Sequence, residues 1–230
     1  MNAATRLASS LGYLLWRPFL RRRLGRVVLE QIDGVPLLVL PEVFNPAVYR
    51  TGALLARAVS SWTPGMAGRT DGIRVLDMGT GCGVGAVFAA RRGLAVVAVD
   101  INPQAVRCAR INALINRLEE RIEVREGDLF APVAGERFDL VLFNPPFFRG
   151  EPAGDLDRAW RGTDVLERFA SGLGAVLKPA GQALVVLSTD GDGQAALRAL
   201  GELGLAFDVA ARRDFGNEVV TVYRLGAGPG

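Results

Sequence analysis

Beyond residue 72, short apolar runs and longer stretches of helical spacing take turns along the chain. Residues 73–78 are apolar, a glycine-rich stretch follows, and Ala, Val and Phe recur at helical spacing to about residue 92. A second apolar run covers 94–99 and ends at Asp100. Pro103 opens the next helix, which runs to about residue 116, because proline is tolerated in a first turn. Residues 121–125 and 138–143 read as the third and fourth strands. Residues 163–177 read as a helix stopped by Pro179 and Gly181, 183–188 as a fifth strand, and 192–203 as a helix. Two last strands, about 205–213 and 218–225, flank Gly216-Asn217, a hairpin signal. Strands alternating with helices predict an α/β fold: a doubly wound, seven-stranded, mostly parallel sheet with a C-terminal antiparallel hairpin.

The first part of the chain is less regular. Residues 1–30 have the spacing of one or two helices, 35–40 of a strand start, and 47–60 of a helix. Pro64, Gly65, Gly68 and Gly72 mark a loop. This predicts a short helical extension over 1–40 and a main body over 41–230. The extension is basic: Arg6, Arg17, Arg21, Arg22, Arg23 and Arg26 fall in the first 29 residues without one acid. A basic arm suits RNA, DNA or another acidic partner, or forms a solvated amphipathic helix. No apolar run has the roughly 18–20 residues of a membrane span, and the arginines follow the early leucines, the wrong order for a secretory leader. Cys82 and Cys108 are the only cysteines, so a cytoplasmic protein without a disulfide framework or a metal site is expected. Histidine is absent, which removes histidine triads and histidine acid–base chemistry.

Four short motifs sit where strands end. Asp77-Met78-Gly79-Thr80-Gly81-Cys82-Gly83-Val84-Gly85 joins a strand to a helix, and its glycines let backbone approach a ligand. The acid ahead of the first glycine suits an amino-bearing or cationic ligand better than a pyrophosphate. Asp100 ends the next strand, where a carboxylate can accept both ribose hydroxyls of a nucleoside or cap the helix near Pro103. In Gly127-Asp128-Leu129, Asp128 can accept from an adenine amino group with Leu129 against the ring, or the tripeptide is an ordinary turn. Asn144-Pro145-Pro146-Phe147 follows the fourth strand. Two prolines cannot continue a central strand, and they stiffen the loop. The Asn144 side-chain oxygen and the Pro145 carbonyl then form two acceptors for a planar amino or amide group that Phe147 can stack on.

Together these motifs resemble the HemK-like branch of class I S-adenosylmethionine-dependent methyltransferases, which methylate glutamine in release factors and related targets. The resemblance spans about residues 41–225. It takes in Pro46 and Thr51, in the segment that folds over the cofactor in that branch. Looser likeness covers Arg158-Ala159-Trp160-Arg161-Gly162 and Asp164-Val165-Leu166-Glu167-Arg168-Phe169. It implies catalysis by Asn144, Pro145, Pro146 and Phe147. It implies cofactor contacts from Thr51 and from Asp77, Gly79, Thr80, Gly81 and Gly83. Asp100, Ile101, Asp128, Leu129 and Asn144 complete that set. The chain departs from the branch in placing Tyr49 and Arg50, where acids are usual, before Thr51, and Phe147 where many members have tyrosine. The helical substrate-recognition domain of the bacterial enzymes has no counterpart in the roughly 40 residues before the shared region. The acceptor implied is a protein glutamine. The alternatives are an exocyclic amino group of adenine or guanine in RNA or DNA, a small-molecule amine, or a cofactor-binding scaffold without turnover. Short eukaryotic members act with a small zinc-binding activator, so a small partner protein is a further expectation.

Overall fold

The computed structural model describes residues 25–63, 72–146, 164–189, 197, 200–201, 205–216 and 218–227. The helices expected in 1–24, Phe147, the 158–163 segment, most of the 192–203 helix and Asn217 lie outside the described residues.

The element order is β1 (Val28–Ile32), β2 (Val35–Val39), α1 (Pro46–Tyr49), α2 (Thr51–Ser61), β3 (Arg74–Met78), α3 (Val84–Ala90), β4 (Ala95–Asp100), α4 (Pro103–Ile115), β5 (Ile122–Glu126), β6 (Phe138–Phe143), α5 (Val165–Val176), β7 (Leu177–Ser188), β8 (Leu205–Asp214) and β9 (Val219–Ala227). Seven strands form one sheet in the order β5-β4-β3-β6-β7-β9-β8. The first five are parallel, and β9 runs antiparallel to both β7 and β8. This is the doubly wound sheet with a terminal hairpin that the alternation of apolar runs predicts.

Central strands of such a sheet are buried on both faces, which is why they read as continuous apolar runs. Alternate residues feed two cores. Val75, Val96, Leu140 and Leu184 pack with α2, α3, α4 and the β1–β2 hairpin. Leu76, Val97, Val141 and Val185 pack with α5 and with Leu200.

Three elements differ from the expectation. The helical extension over 1–40 gives way, from Val28 on, to an antiparallel hairpin. Asp33 and Gly34 both have positive φ, 48° and 79°, the requirement of a tight two-residue turn whose twist matches the strands. The hairpin joins the body rather than preceding it. Asn112 on α4 offers its side-chain amide to Leu38 as a strand would, accepting from the Leu38 N–H at 2.7 Å and donating to the Leu38 carbonyl at 2.7 Å. A boundary at residue 40 therefore cuts through a packed unit.

The helix expected over 47–60 is broken at Arg50, whose φ of 60° is left-handed and costs an arginine about 1 kcal/mol or more. Asn45 caps α1 by accepting from the Ala47 and Val48 N–H groups. The third difference is β7, which starts at Leu177 rather than 183. Leu177 pairs with Phe138, and the ladder then skips to Leu140 opposite Gln182. Pro179 and Gly181 thus end the helix but not the strand. They lie where the β6–β7 register shifts, and a Cβ on Gly181 would stand 2.8 Å from the Phe138 carbonyl oxygen.

Candidate active site

The carboxyl ends of β3, β4 and β6 open onto a cavity of about 400 Å³. Its walls include Asp77, Gly81, Asp100, Leu129, Phe143 and Asn144. That is the crevice where open parallel sheets bind ligands.

Asp77 ends β3 almost wholly buried. One of its oxygens accepts from the Thr80 hydroxyl at 2.6 Å and from the Ala86 N–H at 2.8 Å. Its other oxygen lies against Gly85, where an added Cβ would be 2.6 Å away. Burial pushes the Asp77 carboxyl up to about 6, against the two hydrogen bonds that favour its charged form. Gly79, Gly81 and Gly83 all have positive φ (60°, 57° and 83°), so the loop turns where side chains would resist. The Thr80 N–H donates to the Val99 carbonyl, fixing the loop to β4.

Asp100 ends β4. One oxygen accepts from the Gly81 N–H at 2.8 Å and the other from the Asn102 N–H at 2.9 Å. Burial raises its carboxyl as well. The helix-capping role expected of Asp100 beside ribose binding is corrected: Asn102 is the cap and accepts from the Gln104 N–H. Asn102 also donates to the Glu42 carbonyl at 3.1 Å, drawing the 42–44 segment onto the cavity beside Phe44. Ile101 is exposed at the cavity wall.

Asp128 and Leu129 reach the cavity from the far side of Asp100, past the Gly127 N–H bond to the Asp100 carbonyl. Leu129 has a φ of 45°. Asp128 is ion-paired with Arg168 on α5, a partner 40 residues away that sequence spacing does not reveal. Both are exposed enough that water screens the pair. Beneath them Phe143, Phe169 and Phe130 form a run of stacked rings, with Phe143 and Phe169 centroids 4.2 Å apart. A Cβ on Gly172 would stand 2.5 Å from Phe130, so this helix position has room only for hydrogen.

Asn144 follows β6. Its side-chain nitrogen donates to the Thr51 hydroxyl at 3.2 Å, and its buried side-chain oxygen has no partner among the described residues. An unpaired buried acceptor is costly, and native proteins keep few of them. Thr51 is the first residue of α2, immediately after the left-handed Arg50. The break in the helix thus brings Thr51 to Asn144, with Gly52 lining the cavity. Pro145 and Pro146 also line the cavity.

Asn112 was not among the sequence candidates. Its side-chain nitrogen also donates to the Cys82 carbonyl at 2.7 Å, so it clamps the glycine loop from behind. The available signal was a polar residue on the apolar face of α4, among Val106, Ala109 and Ala113.

The fold and this crevice define a class I S-adenosylmethionine-dependent methyltransferase. The chain belongs to the methyltransferase small domain family, whose model matches residues 52–211. A Methanocaldococcus jannaschii protein provisionally named a protein N5-glutamine methyltransferase is 30% identical over 191 residues, covering 79% of this chain and 90% of that protein. A Rhodospirillum rubrum release factor glutamine methyltransferase is 36% identical, covering 69% of this chain and 53% of that one. An Alcanivorax borkumensis ribosomal RNA small subunit methyltransferase C is 37% identical, covering 61% of this chain and 39% of that one. The chain thus spans nearly all of the first relative and about half or less of the others. A Thermus thermophilus 16S rRNA guanine-N2 methyltransferase, solved with AdoMet and guanosine, superposes with a TM-score of 0.68 at 25% identity, covering 88% of this chain and 50% of that one. Among the described residues no helix is long and apolar enough to cross a membrane.

Proposed function

We propose that this enzyme methylates a planar amide nitrogen, that of a glutamine side chain in a protein. The observation that carries this reading is the Asn144 oxygen, buried at the cavity with no partner among the described residues while Thr51 holds the other end of the same amide. An acceptor oriented in that way is complementary to an N–H donor. The relative with 90% of its length covered carries the same activity in its name.

The crevice fits S-adenosylmethionine by its donor set and its size. Asp77 and Asp100 are carboxylates raised by burial, with no cation against either among the described residues. A cavity of about 400 Å³ is in the range of small-ligand sites. In this reading Asp77 faces the amino-bearing end and Asp100 the ribose hydroxyls. Asp128 and Leu129 take the adenine, and Thr80, Gly81, Gly83 and Ile101 shape the cradle between. S-adenosylmethionine supplies an electrophilic methyl on its sulfonium.

The chain's own work is alignment. Asn144 and the Pro145 carbonyl accept the two N–H bonds of the acceptor amide and aim its nitrogen at the methyl carbon. These bonds favour a pyramidal nitrogen with a localised lone pair, which resembles the transition state more than the resting amide. With S-adenosylmethionine bound, these residues would hold the amide nitrogen in line with the methyl that the sulfonium would give up, and the nitrogen would release its proton to solvent. Histidine is not required.

Methylation of an exocyclic amino group in RNA is the second reading. It is favoured by the 37% identity to the ribosomal RNA enzyme. One experiment separates them. A lysate of the source organism is labelled with methyl-tritiated S-adenosylmethionine and the purified enzyme, then digested in parallel with protease and nuclease. Label released by protease and recovered as N5-methylglutamine is expected. Label released only by nuclease would overturn the glutamine reading.

A further inference from the structure

The turn that brings Thr51 to Asn144 carries a cation with it. Arg50 is exposed, and its guanidinium lies 4.9 Å from the Phe215 ring centroid. Phe215 follows β8 and packs against the core on the α2 side together with Ala211. Arg213 falls between those two in the strand alternation and shares their face, while Arg212 takes the other.

This corner lies on the acceptor side of the cavity. Val220 pairs with Ser188, and the Thr189 N–H donates to the Val219 carbonyl, so the β8–β9 turn stands beyond the carboxyl end of β7, the strand that neighbours β6, and Arg50 adjoins Thr51, which Asn144 meets.

Among the described residues Arg50, Arg212 and Arg213 have no carboxylate partner. The two acids of the turn are already engaged: Asp214 accepts from the Gly216 N–H at 2.7 Å, and Glu218 from the Ser188 hydroxyl at 2.6 Å. The cation–π contact with Phe215 anchors the Arg50 guanidinium at this corner. A planar fork matches one carboxylate bidentately. A nucleic acid would call for a track of cations along successive phosphates. Arg50 between two helices and Arg212 and Arg213 on β8, beside the acids Asp214 and Glu218, do not make such a track.

We propose that Arg50, seated on Phe215, is a specificity residue that takes a carboxylate of the acceptor protein beside the methylated glutamine, with Arg213 reinforcing the field. This rests on the glutamine reading. It explains why a left-handed backbone position, where glycine or asparagine is the easy choice, holds an arginine instead.

The test uses two short peptides that differ only in carrying glutamate or lysine next to one glutamine, with wild type and Arg50→Asn. Asparagine tolerates the left-handed backbone, so the variant keeps the fold, and its S-adenosylhomocysteine affinity checks this. Wild type is expected to favour the glutamate peptide by about fivefold or more in kcat/KM, the scale of a partly exposed charge pair. Arg50→Asn is expected to lose that preference through KM, with kcat nearly unchanged and cofactor affinity intact. A preference unchanged in Arg50→Asn, or none in wild type, overturns the proposal. If neither peptide is methylated, the glutamine reading falls. Binding of the fluorescent glutamate peptide to the S-adenosylhomocysteine-loaded enzyme then decides: binding that needs Arg50 upholds the carboxylate site, and binding that ignores Arg50 overturns it. Transfer to RNA that depends on Arg50 would replace the carboxylate by phosphate and overturn both.

Discussion

Asp77 is held in a conflict that pH can expose. Its carboxyl titrates at about 6 in the folded protein against 3.8 unperturbed, because burial opposes the charge. The native state therefore holds this proton more tightly than the unfolded chain. Between pH 3.8 and about 6 the stability from this group falls as pH rises, by about 3 kcal/mol for two pKa units, and above 6 the loss is complete. Asp77→Asn keeps an acceptor for Thr80 and Ala86 and removes the charge. It should raise the melting temperature of the ligand-free protein by several degrees at pH 7.5, with the gain vanishing near pH 4. The same substitution should weaken S-adenosylmethionine binding at least tenfold, since the ionised carboxylate is what a cationic ligand pairs with. For wild type, cofactor affinity should decline as pH drops below about 6. Calorimetric titrations across pH 5–8 read both effects. Gly85 guards the same group: its Cβ would stand 2.6 Å from the carboxylate, so Gly85→Ala should push Asp77 aside and cost cofactor affinity even though alanine favours the helix.

Elements show why some of the fold was legible and some was not. The five parallel strands were readable because burial on both faces turns each into an apolar run, and the glycine loop was readable because it falls between such a run and a helix. Of the β1–β2 hairpin, the second strand was read from residues 35–40 and the first was missed. Its strand Val28–Ile32 alternates, but the inward position at its centre is the buried Glu30, which accepts from the Asn45 side chain at 2.9 Å. An acid in the apolar phase of a strand hides the period-two signal, and the Asp33-Gly34 turn was the clue that remained. The break at Arg50 was hidden for the opposite reason: arginine is a good helix former, and only its tertiary setting holds it left-handed. Asn112 links two of these elements, joining the hairpin at Leu38 to the glycine loop at Cys82. Asn112→Ala leaves three backbone groups without that partner and should destabilise the protein by about 3 kcal/mol or more in denaturant unfolding. Cofactor affinity should fall with it, whereas a substitution of the exposed neighbour Leu114 should leave both unchanged.

Across the whole molecule, the proposed function divides labour along the carboxyl edge of the sheet. The ends of β3 and β4 carry Asp77, the glycine loop and Asp100, and Asp128 follows β5. The end of β6 carries Asn144. Asp77, Gly79, Thr80, Gly81, Asp100, Ile101, Asp128, Leu129, Asn144, Pro145 and Pro146 line one cavity; Thr51 and Gly83 stand behind its wall, and Phe147 lies outside the described residues. What the sequence could not show is how distant segments complete them. Thr51 meets Asn144 across 93 positions and Arg168 meets Asp128 across 40, and no local pattern encodes either contact. The division of labour is the central claim, and Asn144→Ala tests it most directly. S-adenosylhomocysteine affinity of wild type and variant is measured by calorimetry, beside transfer of labelled methyl groups into the same lysate. The expected result is affinity within about threefold and transfer reduced by at least a hundredfold, the scale of losing an interaction made in the transition state. Parallel loss of affinity and transfer, or transfer left near the wild-type rate, would contradict the account.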